Sequence, residues 1–293
     1  MTCTPAERLA ALRMMFAHLG ESACAHRVAN VYDLISAGEI DAEGIFVACH
    51  GGALQGVFVC IPMPGASALV WPPRGDPAVF DALIAEGLGW LRRRGMKLAE
   101  TIVALADADT LAPLAAHGFV PAGPMHFLRC PVDGRVEQPR QLDLVPLSDV
   151  TDAVIAATLD RTYQGTLDFP ELSGIRTPDD VLAAYRTNPI LRPEHCRLAL
   201  HDGQPAGILL LGEVVTLEGW DLNYLGVVPQ RRRQGLGQAL VNVAIDIVSQ
   251  AGGTHLDIAV DARNAPAIQL YTAAGFQLFD RRLVSLVFLA NDS

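Results

Sequence analysis

The stretch "VVPQRRRQGLGQAL", residues 227–240, decides how the rest of the chain is interpreted. An apolar run typical of a β-strand ends at Pro229, three arginines follow, and Gly235 and Gly237 precede an apolar pattern of helical period. Backbone N–H groups beside glycines and in the first turn of a helix lack partners and can converge on an anion. The stretch therefore suits a phosphate-binding turn between a strand and a helix, although three arginines alone are more often a solvated turn.

The overall composition narrows the class of partner. The chain has 293 residues, a net charge of −10 and 51% hydrophobic residues, which suits two packed domains of roughly 150 residues each. The negative charge disfavours nucleic acid and anionic membranes, because both bind basic surfaces. The six cysteines form no C-x-x-C pair, which argues against a metal site, and no apolar run suits a membrane span or a signal peptide. We expect a cytoplasmic protein, and the sequence leaves its oligomeric state open.

The chain also repeats itself. A Gly-Phe pair at 275–276 has a counterpart at 118–119, and the offset between these two pairs carries Pro229 onto Pro72. Between the proline and the Gly-Phe pair, each half reads without a gap as a strand end, a helix, a strand and a short helix. We infer two copies of one α/β unit.

The predicted domains are residues 1–134 and 142–293, joined by a linker at 135–141 that lies in a Pro- and Gly-rich stretch. The second half begins with a helical pattern near 147–163 and a loop at 162–174. A hairpin pattern and a further strand, "GWDLNYLGVV", then lead into the opening stretch. Strands joined partly by hairpins and partly by helices predict a mixed α/β layer fold.

Two motifs of the second half resemble those of the GNAT N-acetyltransferase superfamily. The first, V-x-P-x-x-R-x-x-G-x-G, is matched by Val227, Pro229, Arg232, Gly235 and Gly237. The second, N-x-x-A-x-x-x-Y-x-x-x-G-F, is matched by Asn264, Ala267, Tyr271, Gly275 and Phe276. The resemblance covers residues 142–290 and reaches 1–130 only through the repeat. The tandem arrangement is similar in outline to mycothiol synthase-like proteins.

This resemblance implies two tandem GNAT-like domains, each a mostly antiparallel sheet with a splayed central strand pair flanked by helices. It also implies acetyl-CoA as the cosubstrate. The backbone of Val227 and Val228 would pair with the pantetheine arm, and Asn264 would touch the same region. The pyrophosphate would be wrapped by Arg232, Arg233, Gln234, Gly235, Leu236 and Gly237.

The resemblance also implies an acid and a base for amide formation. Tyr271 matches the family's general acid, and an ordinary pKa of about 10 keeps such a hydroxyl protonated at neutral pH. Asp221 stands where several members carry a catalytic glutamate, so it is the candidate base, with a bridging water where its shorter side chain needs one; an ordinary strand carboxylate is the alternative. Glu213, on the previous strand, is a weaker candidate.

The acceptor side is less well defined. The loop at 162–174 carries Asp168 and Glu171, which would suit a cationic amine, but it equally fits an ordinary surface loop. In the first half, "GDPAVF" stands in place of the arginines and glycines, Asp107 replaces Asn264 and Leu114 replaces Tyr271. We therefore expect the first half to keep the fold and to have lost cofactor binding.

These observations favour an N-acetyltransferase, active in the second half, that moves an acetyl group directly from acetyl-CoA to an amine. A small-molecule acceptor is preferred, and no metal is required. Two alternatives remain open. One is an acyl-CoA-binding sensor or scaffold without catalysis, and the other is a protein or peptide N-acetyltransferase.

Overall fold

The computed structural model describes residues 1–132, 142–214 and 219–289. The predicted linker at 135–141 lies outside the described residues. The helices are α1 (Arg8–Phe16), α2 (Glu21–Ser36), α3 (Phe80–Arg93), α4 (Ala112–Ala115), α5 (Asp152–Tyr163), α6 (Pro178–Thr187), α7 (Leu236–Gln250) and α8 (Ala265–Ala273). The strands are β1 (Ile45–His50), β2 (Ala53–Met63), β3 (Ser67–Gly75), β4 (Leu98–Ala104), β5 (Val120–Pro131), β6 (Asp143–Pro146), β7 (Arg197–His201), β8 (Gln204–Val214), β9 (Gly219–Val227), β10 (His255–Asp261) and β11 (Gln277–Phe288).

The chain divides into two compact units. The first comprises Met1–Ala122 together with the chain from Leu283 onward, and the second comprises Gly123–Arg282. This division differs from the predicted domains 1–134 and 142–293, which are consecutive segments. The reason is that the second unit includes most of β5 from the first half of the sequence, and the first unit includes the end of β11, from Leu283, from the second half.

The exchanged strands are β5 and β11, which end the two halves of the repeat. β5 pairs antiparallel with β10 of the second unit, with Met125 opposite Asp261 and Pro131 opposite His255. β11 lies next to β4, and the Leu289 N–H then donates to the Lys97 carbonyl over 2.8 Å. A strand's own alternating pattern fixes which face it buries, but it does not fix which neighbour it pairs with.

In the first unit, helices cover both faces of a mixed sheet. β1, β2 and β3 are antiparallel neighbours, and β4 runs parallel to β3. Alternate residues of β2 serve the two faces: Phe58 and Cys60 pack with the α3 core, whereas Val57 and Val59 pack with the core beneath α1 and α2. The period of two along a strand buried on both faces produces this division.

The second unit repeats this arrangement. Its strands follow the order β5-β10-β9-β8-β7-β6, and all neighbours are antiparallel except β9 and β10. Along β8, Leu209 and Leu211 pack with the α7 core, whereas Ile208 and Leu210 pack with the core of α5 and α6. Each unit is therefore a helix–sheet–helix layer structure with a mostly antiparallel sheet, as the resemblance implies.

The structure confirms the repeat at the level of elements. The offset between the two Gly-Phe pairs carries β4 onto β10 and β5 onto β11, with both ends of each strand in register. The same offset does not align the strands that precede α3 and α7. It places Ser67, the first residue of β3, opposite Tyr224, but β9 begins five residues earlier, at Gly219. The gapless alignment is therefore wrong. β3 continues beyond Pro72, so Pro72 is not the counterpart of Pro229.

The two repeats differ in the length of one connection, which joins a strand to the long helix that follows it. Four residues, 76–79, join β3 to α3, whereas eight residues, 228–235, join β9 to α7. The predicted replacement of arginines and glycines by "GDPAVF" therefore understates the difference. The first unit has a shorter connection at the place where the second unit has the arginines.

In the second unit, the two parallel central strands separate soon after they meet. β9 and β10 are paired only where Trp220 and Asp221 face Leu256 and Asp257. Just beyond, Asn223 is an extra residue opposite β8, and such a bulge bends its strand. The predicted splayed pair is present, and it leaves facing strand edges without a ladder partner.

No helix within residues 1–132, 142–214 and 219–289 combines the length and apolar character needed to cross a membrane.

Candidate active site

A cavity of about 470 Å³ opens in the second unit where β9 and β10 separate. Its wall is formed by the loop after α5, the end of β9, the connection into α7, the end of β10 and the start of α8. It brings together most of the predicted site residues: Val227, Arg232, Arg233, Gly235, Gly237, Asn264 and Tyr271. Two motifs that are separate in the sequence therefore meet at one cavity.

Four predicted residues do not line this cavity: Val228, Gln234, Leu236 and Asp221. Val228 is buried and its N–H donates to the Ala206 carbonyl over 2.9 Å, so that N–H is not available to a pantetheine arm. Leu236 turns its side chain into the α7 core, and the Gln234 side chain donates to the Gln230 carbonyl. For these two residues, a contact between the backbone and a phosphate stays a prediction.

The connection from β9 to α7, which we call the cradle, has backbone geometry that suits an anion. Gly235 takes a left-handed conformation, with φ of 83°, directly before the helix, and Arg233 does the same with φ of 60°. The first backbone bond of α7 runs from the Ala239 N–H to the Gly235 carbonyl, so the earlier N–H groups of the helix point out of its end. Unpaired N–H groups and the helix dipole together attract a phosphate.

The three arginines of the cradle have three different surroundings. Arg231 forms an ion pair with Asp202 at 3.4 Å. Arg233 is exposed, lines the cavity, and makes no side-chain hydrogen bond or ion pair with any residue that the structure describes. Of the three, Arg233 is the guanidinium that remains available for a phosphate.

Arg232 has a structural role that the motif did not reveal. Its guanidinium donates to the Val227 carbonyl at 3.0 Å and to three carbonyls at the end of α5 and just beyond it, those of Thr162, Gln164 and Gly165, at 2.8–3.2 Å. The predicted charge contact with pyrophosphate therefore does not fit this side chain. Arg232 instead ties the connection into α7 to the loop that follows α5.

Tyr271 lies on α8 with its ring packed against Phe276 and only 4% of the residue exposed. Burial raises the pKa of its hydroxyl above the ordinary value, and the negative charge of Asp168 raises it further. No described residue accepts a hydrogen bond from this hydroxyl, although the residue lines the cavity. A protonated, unpaired hydroxyl at a cavity wall can donate its proton to a ligand atom.

Asn264 begins α8 and joins two parts of the site. Its Oδ1 accepts from the Ala267 N–H at 3.3 Å, which caps the helix. Its side chain also lies close to Asp168 and opposes the rise in the pKa of that carboxyl. The sequence predicted a contact with pantetheine, and the structure adds these two protein partners.

Asp168 and Asp261 hold the loop after α5 against the end of β10. The Asp261 N–H donates to Oδ1 of Asp168 at 2.9 Å, and the Phe169 N–H donates to Oδ2 of Asp261 at 3.1 Å. Asp261 is fully buried, which opposes its charge, but hydrogen bonds from Arg263 leave its pKa below the ordinary value. The acceptor-side loop is thus fixed at the edge of the cavity.

The structure separates the two loop carboxylates that the sequence grouped. Glu171 forms a two-point ion pair with Arg263, at 2.6 and 3.0 Å, and this pairing lowers its pKa. Asp168 lines the cavity and is exposed through it. Only Asp168 therefore remains a candidate for contact with an acceptor.

Asp221, the predicted base, lies in the paired part of β9, opposite Asp257 on one side and Gly212 on the other. Burial raises the pKa of this carboxyl to about 6, which the Asn223 amide opposes and the charge of Asp257 reinforces. It lies two residues before Asn223, which lines the cavity. Asp221 itself does not line the cavity, so its role as the base stays a prediction.

Glu213, the weaker candidate for the base, is engaged elsewhere. It forms an ion pair with Arg192 at 3.0 Å and faces Trp220 across the ladder, whereas Gly212 is the residue opposite Asp221. It does not line the cavity.

Sequence reasoning did not identify two polar contacts at the site. The hydroxyls of Thr162 and Tyr224 lie 2.8 Å apart at the cavity wall, and Arg263 connects its near neighbour Asp261 with Glu171. Neither the contact of Thr162 with Tyr224 nor that of Arg263 with Glu171 has a sequence signal, because each joins segments far apart in the chain. Only the left-handed turn at Phe169, with φ of 43°, marks the loop as unusual, and it too is visible only in the structure.

Comparison with known proteins agrees with this site. Residues 161–276 match the profile of the Acetyltransferase (GNAT) family, a range that contains both motifs and the whole cavity lining. The chain is 42% identical over 53 residues to a mycothiol acetyltransferase of Clavibacter sepedonicus, which covers 18% of this chain and 17% of that protein. It is 38% identical over 71 residues to the peptidyl-lysine N-acetyltransferase YiaC of Escherichia coli, which covers 24% of this chain and 45% of that protein.

Solved structures extend the likeness to the full chain. A GCN5-related N-acetyltransferase from Sphaerobacter thermophilus superposes with a TM-score of 0.66 at 15% identity, covering 98% of this chain and 94% of the other. A tandem GNAT protein from the clavulanic acid biosynthesis pathway superposes with a TM-score of 0.55 at 15% identity, covering 100% and 98%. Residues 161–276 are thus similar to the GNAT acetyltransferase family, and the chain as a whole has the fold of a tandem GNAT protein.

Proposed function

We propose that the second unit transfers an acetyl group from acetyl-CoA directly to the nitrogen of a small amine. The observation that carries this proposal is one cavity that joins an anion cradle at the start of α7 to the unpaired hydroxyl of Tyr271. The cradle suits the phosphates of the donor, and the hydroxyl suits the sulfur that leaves. We also propose that the first unit, with its four-residue connection, has lost this function.

The gap between β9 and β10 suits the rest of the donor. Buried backbone N–H and C=O groups require partners, and the separated strand edges offer such groups to the amides of an extended ligand. Val227 remains the predicted contact at the end of β9, since it lines the cavity. Val228 is withdrawn as a contact because its N–H already has a partner.

The reaction moves protons at the nitrogen and at the sulfur. An alkylammonium, with a pKa of about 10.4, must lose a proton before its nitrogen attacks the thioester carbon. The new C–N bond forms, the C–S bond breaks, and the departing sulfur takes a proton from Tyr271. The nitrogen loses a second proton as it becomes an amide, and this proton restores the Tyr271 hydroxyl. Asp221 is proposed to accept the amine's proton through a water, because its pKa of about 6 leaves it ionised at neutral pH.

The test mixes the full chain with acetyl-CoA and a panel of amines while free thiol is followed over time. Thiol release that depends on both enzyme and amine, together with an acetylated product of the expected mass, is the expected result. Binding of acetyl-CoA without thiol release for any amine would support the sensor or scaffold alternative and would contradict an enzyme.

A peptide acceptor is the second candidate, and the likeness to a peptidyl-lysine acetyltransferase is what favours it. A side-chain lysine and a small alkylamine present the same reacting group, so the two candidates differ in what surrounds it. Rates with free alkylamines should exceed those with lysine-containing peptides if the acceptor is a small molecule. The opposite order would make the protein a peptide acetyltransferase.

A further inference from the structure

The cavity carries opposite charges in different parts of its wall. Arg233 lies in the cradle before α7, and Asp168 lies on the loop after α5. Among the described residues that line the cavity, Asp168 is the sole carboxylate. Arg232 also lines it, but its guanidinium is used on backbone carbonyls. The wall therefore presents a positive group at the cradle and a negative group on the acceptor-side loop.

Asp168 forms no ion pair with a residue that the structure describes. Its Oδ1 accepts one hydrogen bond from the Asp261 N–H, and Asn264 supplies a second contact, but both partners are neutral. The charge of Arg263 acts on Asp168, but the hydrogen bonds of this guanidinium go to Asp261 and Glu171. Within the described part of the chain, no ion pair includes Asp168.

The charge of Asp168 is only partly compensated by its surroundings. Desolvation raises the pKa of Asp168 above its ordinary value, although the Asp261 N–H, Asn264 and the charge of Arg263 oppose this shift and the residue is exposed. Placing an ionised carboxylate where protein replaces water costs free energy unless a cation is close. A carboxylate held on a fixed loop at this cost is suited to receive its cation from a ligand.

We propose that Asp168 is the seat for the ammonium group of the acceptor, so that the protein selects amines that arrive as cations and carry no negative charge near the nitrogen. This inference rests on the proposed acetyl transfer. Asp168 acts there as a specificity-determining residue, distinct from Asp221, which is proposed to take the proton.

The position of Asp168 relative to Tyr271 fits this role. The charge of Asp168 raises the pKa of the Tyr271 hydroxyl, which places the two groups within electrostatic reach of each other. An ammonium bound to Asp168 therefore lies near the group proposed to protonate the leaving sulfur. Two hydrogen bonds, from the Asp261 N–H to Asp168 and from the Phe169 N–H to Asp261, join the loop after α5 to β10. They hold Asp168 in a fixed position at the cavity wall.

The experiment compares wild type with Asp168→Asn and with Asp160→Asn, in which an exposed carboxylate on α5 outside the cavity is changed in the same way. The midpoint of thermal unfolding is measured for each protein alone, with acetyl-CoA, and with coenzyme A plus a straight-chain alkylamine. The alcohol of equal length replaces each amine as the probe without charge.

We expect Asp168→Asn to unfold at a temperature equal to or above that of wild type, because the asparagine keeps the acceptor for the Asp261 N–H and removes the unpaired charge. Alkylamines should raise the midpoint of wild type and Asp160→Asn, alcohols should not, and Asp168→Asn should lose the response to amines. Acetyl-CoA should protect all three proteins equally. In the thiol-release assay, Asp168→Asn should raise KM for the amine at least tenfold.

Other outcomes would distinguish failure of the proposed acetyl transfer from failure of the proposed role of Asp168. Acetyl-CoA that protects none of the proteins would contradict the proposed acetyl transfer itself. If acetyl-CoA protects, the inference about Asp168 is overturned by amines that protect neither wild type nor variant, or that protect both equally. It is also overturned if Asp168→Asn unfolds at a lower temperature than wild type and keeps its KM, since the carboxylate would then serve the loop alone.

Discussion

The connections 76–79 and 228–235 occupy the same place in the two repeats and differ in what they can bind. The first passes from β3 to α3 in four residues, whereas the second takes eight residues from β9 to α7 and includes the left-handed Arg233 and Gly235. The sheets and helices around them correspond closely, so the fold does not need the longer connection. The added residues are therefore best explained by a ligand.

The largest expected effect concerns the acid, where the first repeat has Leu114 and the second has Tyr271. Tyr271→Phe removes the hydroxyl and keeps the packed ring, so kcat should fall by about 10²–10⁴-fold. Affinity for acetyl-CoA, measured by equilibrium binding, should stay unchanged. A variant with full kcat would show that another group protonates the sulfur.

The next effect comes from replacing residues 228–235 with residues 76–79, which gives the second unit the connection of the first. Loss of two charge-assisted hydrogen bonds to phosphate, at about 1.5–3 kcal/mol each, should weaken acetyl-CoA binding by on the order of 100-fold or more. Isothermal titration measures this, and circular dichroism checks that the chain remains folded. Unchanged affinity in a folded protein would contradict the cradle.

A smaller effect is the pH dependence of the rate, which tests Asp221. Its pKa of about 6 means that the carboxyl is protonated below that pH and cannot take a proton from the amine. The value of kcat should therefore rise with pH and level off above about 6, with roughly a tenfold loss for each unit below it. Asp221→Asn should abolish this step in the profile, and a variant that keeps the same step would assign it to another group.

The smallest effect distinguishes two arginines within the cradle. Arg233→Ala removes an exposed charge that lines the cavity and should weaken acetyl-CoA binding by about two- to fivefold, less at high salt, as is typical of exposed ion pairs worth up to about 1 kcal/mol. Arg231→Ala makes the same charge change at a residue paired with Asp202 and should leave the affinity unchanged. If both variants lost the same affinity for acetyl-CoA, the arginines would act through the overall electrostatic field and not through a contact of Arg233 with phosphate.

Local sequence pattern predicted the parts of this site that depend on neighbours in the chain. The motif at 227–237 located the cradle, and the spacing from Asn264 to Tyr271 placed both residues on one cavity wall, because glycine conformations and helical periodicity are short-range properties. The constant offset between the two Gly-Phe pairs matched β4 with β10, and it failed at the connection, since an alignment without gaps hides a change of length.

The rest depends on contacts between distant segments. The sequence assigns Arg232 to phosphate because an arginine beside two glycines suggests an anion site, but its guanidinium meets carbonyls that only the fold brings near. Glu171 forms an ion pair with Arg263 and Asp168 does not, and this difference follows from the position of Arg263, which is far from both residues in sequence. The sequence likewise did not predict that β5 and β11 are exchanged between the units. The alternating pattern of a strand is satisfied equally by a neighbour from its own half of the chain or from the other half.

The exchanged strands also bear on the order in which the protein can form during synthesis. A ribosome releases the first half long before the residues from Leu283 onward, yet those residues belong to the first unit. Until they emerge, the edge of β4 lacks its neighbour and is open to pairing with another chain. The first unit is therefore completed last, and the residues of each unit come from both halves of the repeat.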